Sequence, residues 1–156
     1  MRKVTLNSDL TNLLSSLFDK WERLDISAVA KYGYAAVEFN EHGIYDIDAT
    51  NFLSILKTMN ETELYYTTIQ DIKKSKSDNI MACQICINEE SLQESQNVNK
   101  NFDIYFDTVY FGSRGRFFAI RKGTVQNTVY VGDREFISRI VAALDAQKGR
   151  NFQYIV

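Results

Sequence analysis

Cys83-Gln84-Ile85-Cys86 is the spacing in this chain that thiol chemistry most often uses, a C-x-x-C. Redox and zinc sites need the two sulfurs to converge, usually at a helix start or a tight turn. Here both cysteines fall in an apolar, strand-like stretch, and residues three apart on a strand point to opposite faces. Cys83 is therefore expected on the apolar face with Met81, Ile85 and Ile87, as a small hydrophobe. No second C-x-x-C is present and His42 is the only histidine, so no metal or cofactor is expected. His42 sits in a turn beside Gly43. Alone it builds no Ser-His-Asp or Cys-His arrangement unless strand neighbours meet it.

The carboxylates offer other chemistry. Glu38, Glu41, Asp46 and Asp48 gather around one predicted hairpin. Three roles fit: solvated turn charge, an acidic recognition patch, or a metal or acid–base site, of which a glycosidase-type pair needs carboxyls about 5–9 Å apart in a cleft. Asp48 also has a simpler use as a helix cap. Asp103 and Asp107 flank Tyr105 on one strand face, but by strand rise they lie about 13 Å apart, too far for a dyad.

The third constellation is basic and aromatic: Arg114-Gly115-Arg116-Phe117-Phe118-Ala119-Ile120-Arg121-Lys122. Cations that hold phosphate and rings that stack bases make an RNA-binding sheet. The stretch departs from the RNA-recognition-motif signature, which wants an aromatic where Arg116 stands. Charge on an edge strand, blocking strand addition, is the simpler expectation. No Walker-type or dinucleotide fingerprint is present.

These groups sit within a charge divide. Residues 1–111 hold ten Lys/Arg against seventeen Asp/Glu, a balance of −7; residues 112–156 hold eight against three, a balance of +5. Such asymmetry speaks to partners, because summed charge steers association and does not choose a fold. A length of 156 residues with 45% hydrophobic and 24% charged residues allows one domain with a substantial core. With no proline, turns fall to Gly, Asn, Asp and Ser. Neither a targeting leader nor a run of about 20 apolar residues is visible, so a cytoplasmic location without membrane contact is expected.

The elements that must position these residues follow from periodicity. Leu10, Leu13, Leu14, Leu17, Phe18, Trp21 and Leu24 form one helical stripe, predicting a helix over 8–24. A helical turn over Ser27–Lys31 precedes a strand at Tyr34–Phe39 and a second at Ile44–Ile47. Asp48 is expected to cap a helix through Met59, with Asn60 as its stop. Strands are expected at Arg2–Leu6, Glu63–Ile69 and Ile80–Ile87, with Asp71–Asn79 an exposed loop. Asn88–Asn101 is the weakest segment for order. Phe102–Phe106 alternates like a strand. The glycine turns after it predict an antiparallel meander through Arg116–Arg121 and Thr124–Val131. Asp133 is expected to cap a helix to Gln147, ended by Gly149, before a last strand. The expectation is one α+β domain: an antiparallel or mixed sheet of about six to eight strands with about three packed helices, the first and last sharing a face.

Two function classes fit this reading. The first is a non-enzymatic protein-binding inhibitor, of the kind bacteria encode as immunity proteins beside secreted toxins, which covers a toxin's active site. Glu38, Glu41, Tyr45, Asp46, Tyr65 and Tyr66 are its contact candidates. The alternative is a nucleic-acid-binding or regulatory module using Arg114, Arg116, Phe117, Arg121 and Lys122.

Overall fold

A computed structural model describes residues 1–40, 43–75, 79–97, 106–123, 127–145 and 151–156. Its strands are β1 (Arg2–Thr5), β2 (Ala35–Phe39), β3 (Leu64–Thr68), β4 (Met81–Ile85), β5 (Thr108–Phe111), β6 (Phe117–Arg121), β7 (Thr128–Gly132) and β8 (Phe152–Tyr154). Its helices are α1 (Ser8–Leu17), α2 (Ile26–Lys31), α3 (Asp46–Thr58), α4 (Ile69–Lys74), α5 (Glu89–Ser95) and α6 (Arg134–Asp145). The strands form one sheet in the order β1-β4-β3-β5-β6-β7-β2-β8, and every neighbouring pair is antiparallel. The α+β expectation and its strand number hold. The three expected helices are present as α1, α3 and α6, and three shorter ones join them.

Both faces of the sheet are covered, so its central strands are apolar on both sides. In β6, Phe117 and Ala119 face one core and Phe118 and Ile120 the other. The first core takes Phe52, Leu53 and Leu56 from α3, Leu92 from α5, and Phe136, Ile137 and Ile140 from α6. The second takes Leu10, Leu14 and Leu17 from α1, Val29 from α2, and Ile69 and Ile72 from α4. Thus α1 and α6 lie on opposite faces, not on a shared one. Each stripe is broad enough to cover a face, and nothing in either stripe encodes which face.

The glycine-turn meander forms, with β5, β6 and β7 adjacent and paired Thr108↔Arg121 and Phe117↔Gly132, but its first strand is Thr108–Phe111. Of the stretch Phe102–Phe106 only Phe106 lies among the described residues, and it is outside any strand. Asp133 caps α6, its carboxylate accepting from the Phe136 N–H at 2.8 Å. Asn60 ends the α3 region in the left-handed conformation, φ 56°.

Other expectations change. No strand forms at Ile44–Ile47, because Asp46 opens α3 instead. The N-cap there is Tyr45, and Asp48 is buried in the first turn, not at the cap. The polar stretch after β3 is not all loop. Thr68 caps α4 by accepting from the Asp71 N–H at 3.0 Å, and Ile72 is buried beneath it. The expected helix over 8–24 stops at Leu17. His42, Asp103, Tyr105 and Gly149 lie outside the described residues.

The α5 segment is anchored by Leu92, buried in the first core, and by Gln96 just after the helix. Gln96 accepts from the Ile44 N–H at 3.0 Å and donates to the Ile44 carbonyl at 2.9 Å, as a strand neighbour would. Gly43 makes room for it: a Cβ there would meet the Gln96 Oε1 at 3.0 Å and the Tyr45 ring at 2.4 Å. Replacing Gln96 with leucine strands two buried backbone groups, with an expected loss of about 2 kcal/mol, read as a lowered urea midpoint.

Candidate functional site

The structure takes the basic strand apart as a surface. β6 is central, with β5 on one side and β7 on the other, so it is not the guarded edge its charge implied. Phe117 is fully buried, its ring 5.8 Å from Phe52 and 5.3 Å from Phe136. No base reaches it in the folded state. Arg121 is 3% exposed and faces the same core side as Phe117 and Ala119.

The remaining cations meet carboxylates. Arg114 binds the buried Glu61 at 2.8 Å and the Met59 carbonyl at 2.6 Å. Arg116 bridges Asp133 and Glu135, each at 2.7 Å. Hydrogen bonds to these two carboxylates raise the Arg116 pKa further. Glu135 is shared with Arg139 at 3.0 Å, the i,i+4 pair the sequence offers, and both guanidiniums hold its carboxyl below the ordinary range. Lys122 pairs with Asp107 at 3.0 Å. Part of the charge divide in sequence is therefore cancelled across the fold: Arg114 and Lys122 from the basic end neutralise Glu61 and Asp107 from the acidic one.

The acidic candidates do not form one patch. Glu38 is half-buried on β2, where Asn127 donates to it and Gln153 donates at 2.9 Å. Tyr65 and Tyr66 are adjacent on β3 and so face opposite cores, and both are buried. Tyr65 stacks on Phe111 at 5.7 Å, and burial with the neighbouring Glu63 pushes its phenol up to about 12. Tyr66 packs on Tyr110 at 5.6 Å. Neither ring is presented to a partner. Glu41 lies outside the described residues. Tyr45, half-buried, and Asp46, exposed, stay together at the start of α3.

What gathers around Asp46 comes from α5. Asn88 caps that helix by accepting from the Ser91 N–H at 2.8 Å, and Glu89 and Glu90 fill its first turn. Thr50 of α3 donates to Glu89 at 2.6 Å and to the Asp46 carbonyl at 3.3 Å, which ties the two helix starts together. Between the helices runs a groove of about 410 Å³ lined by Thr50, Leu53, Ser54, Lys57, Asn88 and Glu89. Asp46, Glu89 and Glu90 are exposed. Asn88-Glu89-Glu90 was legible as a cap followed by an acidic first turn, a pattern outweighed by the polarity of the segment around it.

A second feature was hidden by periodicity. Trp21, expected in the α1 stripe, is 66% exposed. Helix α1 ends at Leu17, Phe18 turns extended, and Phe18 pairs with Leu24 across a tight loop. The Lys73 ammonium of α4 donates to the carbonyls of Ser15 (3.0 Å) and Phe18, closing the helix end. The Asp19 carboxylate organises the loop, accepting from the N–H groups of Trp21 at 2.8 Å and Arg23 at 3.0 Å and from the Arg23 guanidinium. The Arg23 amide, then the Arg23 side chain and the Trp21 amide, hold the Asp19 carboxyl below its ordinary range.

Cys83 packs against the first core beside Ile85, while Cys86 is exposed beyond β4, and both thiols are free. Among the described residues no group of three His, Cys, Asp or Glu side chains is placed to hold a metal ion. No described helix is long and apolar enough to cross a membrane. No protein-family model, no curated protein and no solved structure matches this chain.

Proposed function

We propose that this chain is a non-enzymatic, protein-binding inhibitor of the immunity type, acting in the bacterial cytoplasm on a toxin whose active site it covers. The observation that supports the reading is the distribution of charge. The cations of residues 114–122 are drawn into ion pairs or burial, while Asp46, Glu89 and Glu90 stand exposed by the α3/α5 groove. Exposed carboxylates at the neighbouring starts of α3 and α5 suit the basic substrate groove of a nuclease. Tyr45 and Asp46 remain as contact residues from the original candidates, and Glu89 and Glu90 join them.

Coexpression with the product of the reading frame beside its own gene is the test. Rescue of growth and a one-to-one complex are expected. Neutralising three carboxylates together (Asp46→Asn, Glu89→Gln, Glu90→Gln) is expected to slow association by about 10-fold or more at low salt and to flatten its salt dependence. An association rate indifferent to both salt and the triple variant removes the reading. So does turnover of a small substrate by the pure chain that one side-chain change abolishes. Retention of RNA at about 50 mM salt, lost on replacing Arg114, Arg116 and Lys122, would favour the nucleic-acid alternative instead.

A further inference from the structure

The sole tryptophan of the chain is held out of a core that its position in the stripe would have let it enter. Leu10, Leu14 and Leu17 are buried at 6%, 0% and 0%, and Trp21 is the next residue in that spacing. One more helical turn would carry it to the same face. Instead Phe18 turns extended, and the chain reverses through Glu22 at φ 62°, a left-handed conformation that a glutamate rarely adopts. The reversal is fastened at its base and its tip. The Asp19 N–H donates to the Arg23 carbonyl at 2.8 Å, the Asp25 N–H to the Leu17 carbonyl at 2.8 Å, and the Glu22 N–H to the Asp19 carbonyl at 3.1 Å. The Asp19 side chain satisfies the amides of Trp21 and Arg23, and Arg23 neutralises Asp19 at 2.9 Å. The result is an exposed ring on a short loop whose backbone donors are largely satisfied. Immobilising it on binding then costs little conformational entropy.

Charge says what kind of surface meets this loop. With Asp19 and Arg23 paired to each other, its other charged side chains are Lys20 and Glu22, both exposed. The Lys20 ammonium sits over the Trp21 ring, 5.1 Å from its centroid, where the ring supplies cation–π attraction. Opposite charges beside one ring do not match a uniformly anionic lipid surface. They match a pocket with a mixed rim. We propose that the Phe18–Leu24 loop is a preformed docking prong: Trp21 enters an apolar slot on a separate folded protein, whose rim carries a carboxylate for Lys20 and a cation for Glu22. The prong lies at the end of α1, on the face of the sheet opposite the α3/α5 groove, and does not depend on that groove binding anything.

The test places a photo-crosslinking benzoylphenylalanine at position 21 of the full chain in its native cells. The crosslinked protein is then identified by mass spectrometry, purified and titrated. One discrete adduct with a different protein is expected. That protein should bind Trp21→Ala at least about 30-fold more weakly than the parent, the loss typical of an interface anchor. Trp21→Phe should retain part of the affinity, and Lys20→Glu should lose part of it. The denaturation midpoint of Trp21→Ala should match the parent, since the ring packs on no core. The absence of a discrete adduct would overturn the proposal, as would an adduct with a second copy or with lipid, or an affinity unchanged in Trp21→Ala. The Asp46/Glu89/Glu90 variant is titrated alongside, so that failure of the groove and failure of the prong are read separately.

Discussion

Replacing Phe117 with alanine is expected to lower the unfolding free energy by about 3–5 kcal/mol. The ring is completely buried at the centre of the sheet, edge-on to Phe52 and tilted against Phe136, with Tyr130 packed on both of those rings. The backbone leaves little room for the gap to collapse. Gly132, opposite Phe117 in the register, is already so tight that a Cβ would meet the Arg116 carbonyl at 2.5 Å and the Phe136 ring at 2.9 Å. Cavities that cannot relax lie at the upper end of the measured range. Urea denaturation followed by far-ultraviolet circular dichroism gives the number. A loss below about 1 kcal/mol would mean that the ring is available at the surface, the condition that base stacking requires.

Arg114→Met is the second large effect, with an expected loss of about 3–5 kcal/mol. The pair it breaks is asymmetric: the Glu61 side chain is 1% exposed and that of Arg114 is 47% exposed. Removing the arginine leaves a carboxylate walled in by Gly112 and Phe117, and the Met59 carbonyl also loses its donor. Removing the negative charge instead, by Glu61→Gln, leaves a guanidinium that turns to water, and about 1 kcal/mol is expected. The ordering of the two single variants is the diagnostic. The double replacement Arg114→Met with Glu61→Met should recover most of what Arg114→Met loses, since an apolar pair has no orphaned charge. Equal losses from both single variants would show that the carboxylate is solvated after all.

Strands were legible where a short apolar or β-branched run lies between turn residues, as in β4, β6 and β7. The meander followed from the glycines at 112, 115 and 123. Helices were legible wherever a stripe of leucine, isoleucine and phenylalanine ran for three turns. The misreadings share a cause, because local pattern is blind to what a distant segment supplies. The stripe from Leu10 to Leu24 contains no stop signal of its own. Lys73, more than fifty residues away, closes the end of α1, and Asp19 takes the amides that a further turn would have used.

The basic strand read as an edge for the same reason. Glu61, Asp107 and Asp133, which pair with its cations or their neighbours, are remote in sequence or lie on other elements. Tyr65 and Tyr66 were grouped by adjacency, yet the two-residue period of a strand puts them in different cores. Glu89 and Glu90 were readable from their cap, whereas the anchoring of that helix through Gln96 on Ile44 and Ser95 on Tyr110 depends on segments remote in sequence.

The position of β2 in the sheet has a consequence for synthesis. It leaves the ribosome well before its two neighbours, β7 and β8. Until residues 128–156 emerge, both of its rims lack their final partners, and the apolar Ala36, Val37 and Phe39 have only part of their cover. Pairing across some ninety residues is slow to nucleate because the intervening chain must first be closed into a loop. The growing chain is thus most prone to aggregate while β2 waits for β7 and β8, and a holdase present over that interval is expected to raise its soluble yield.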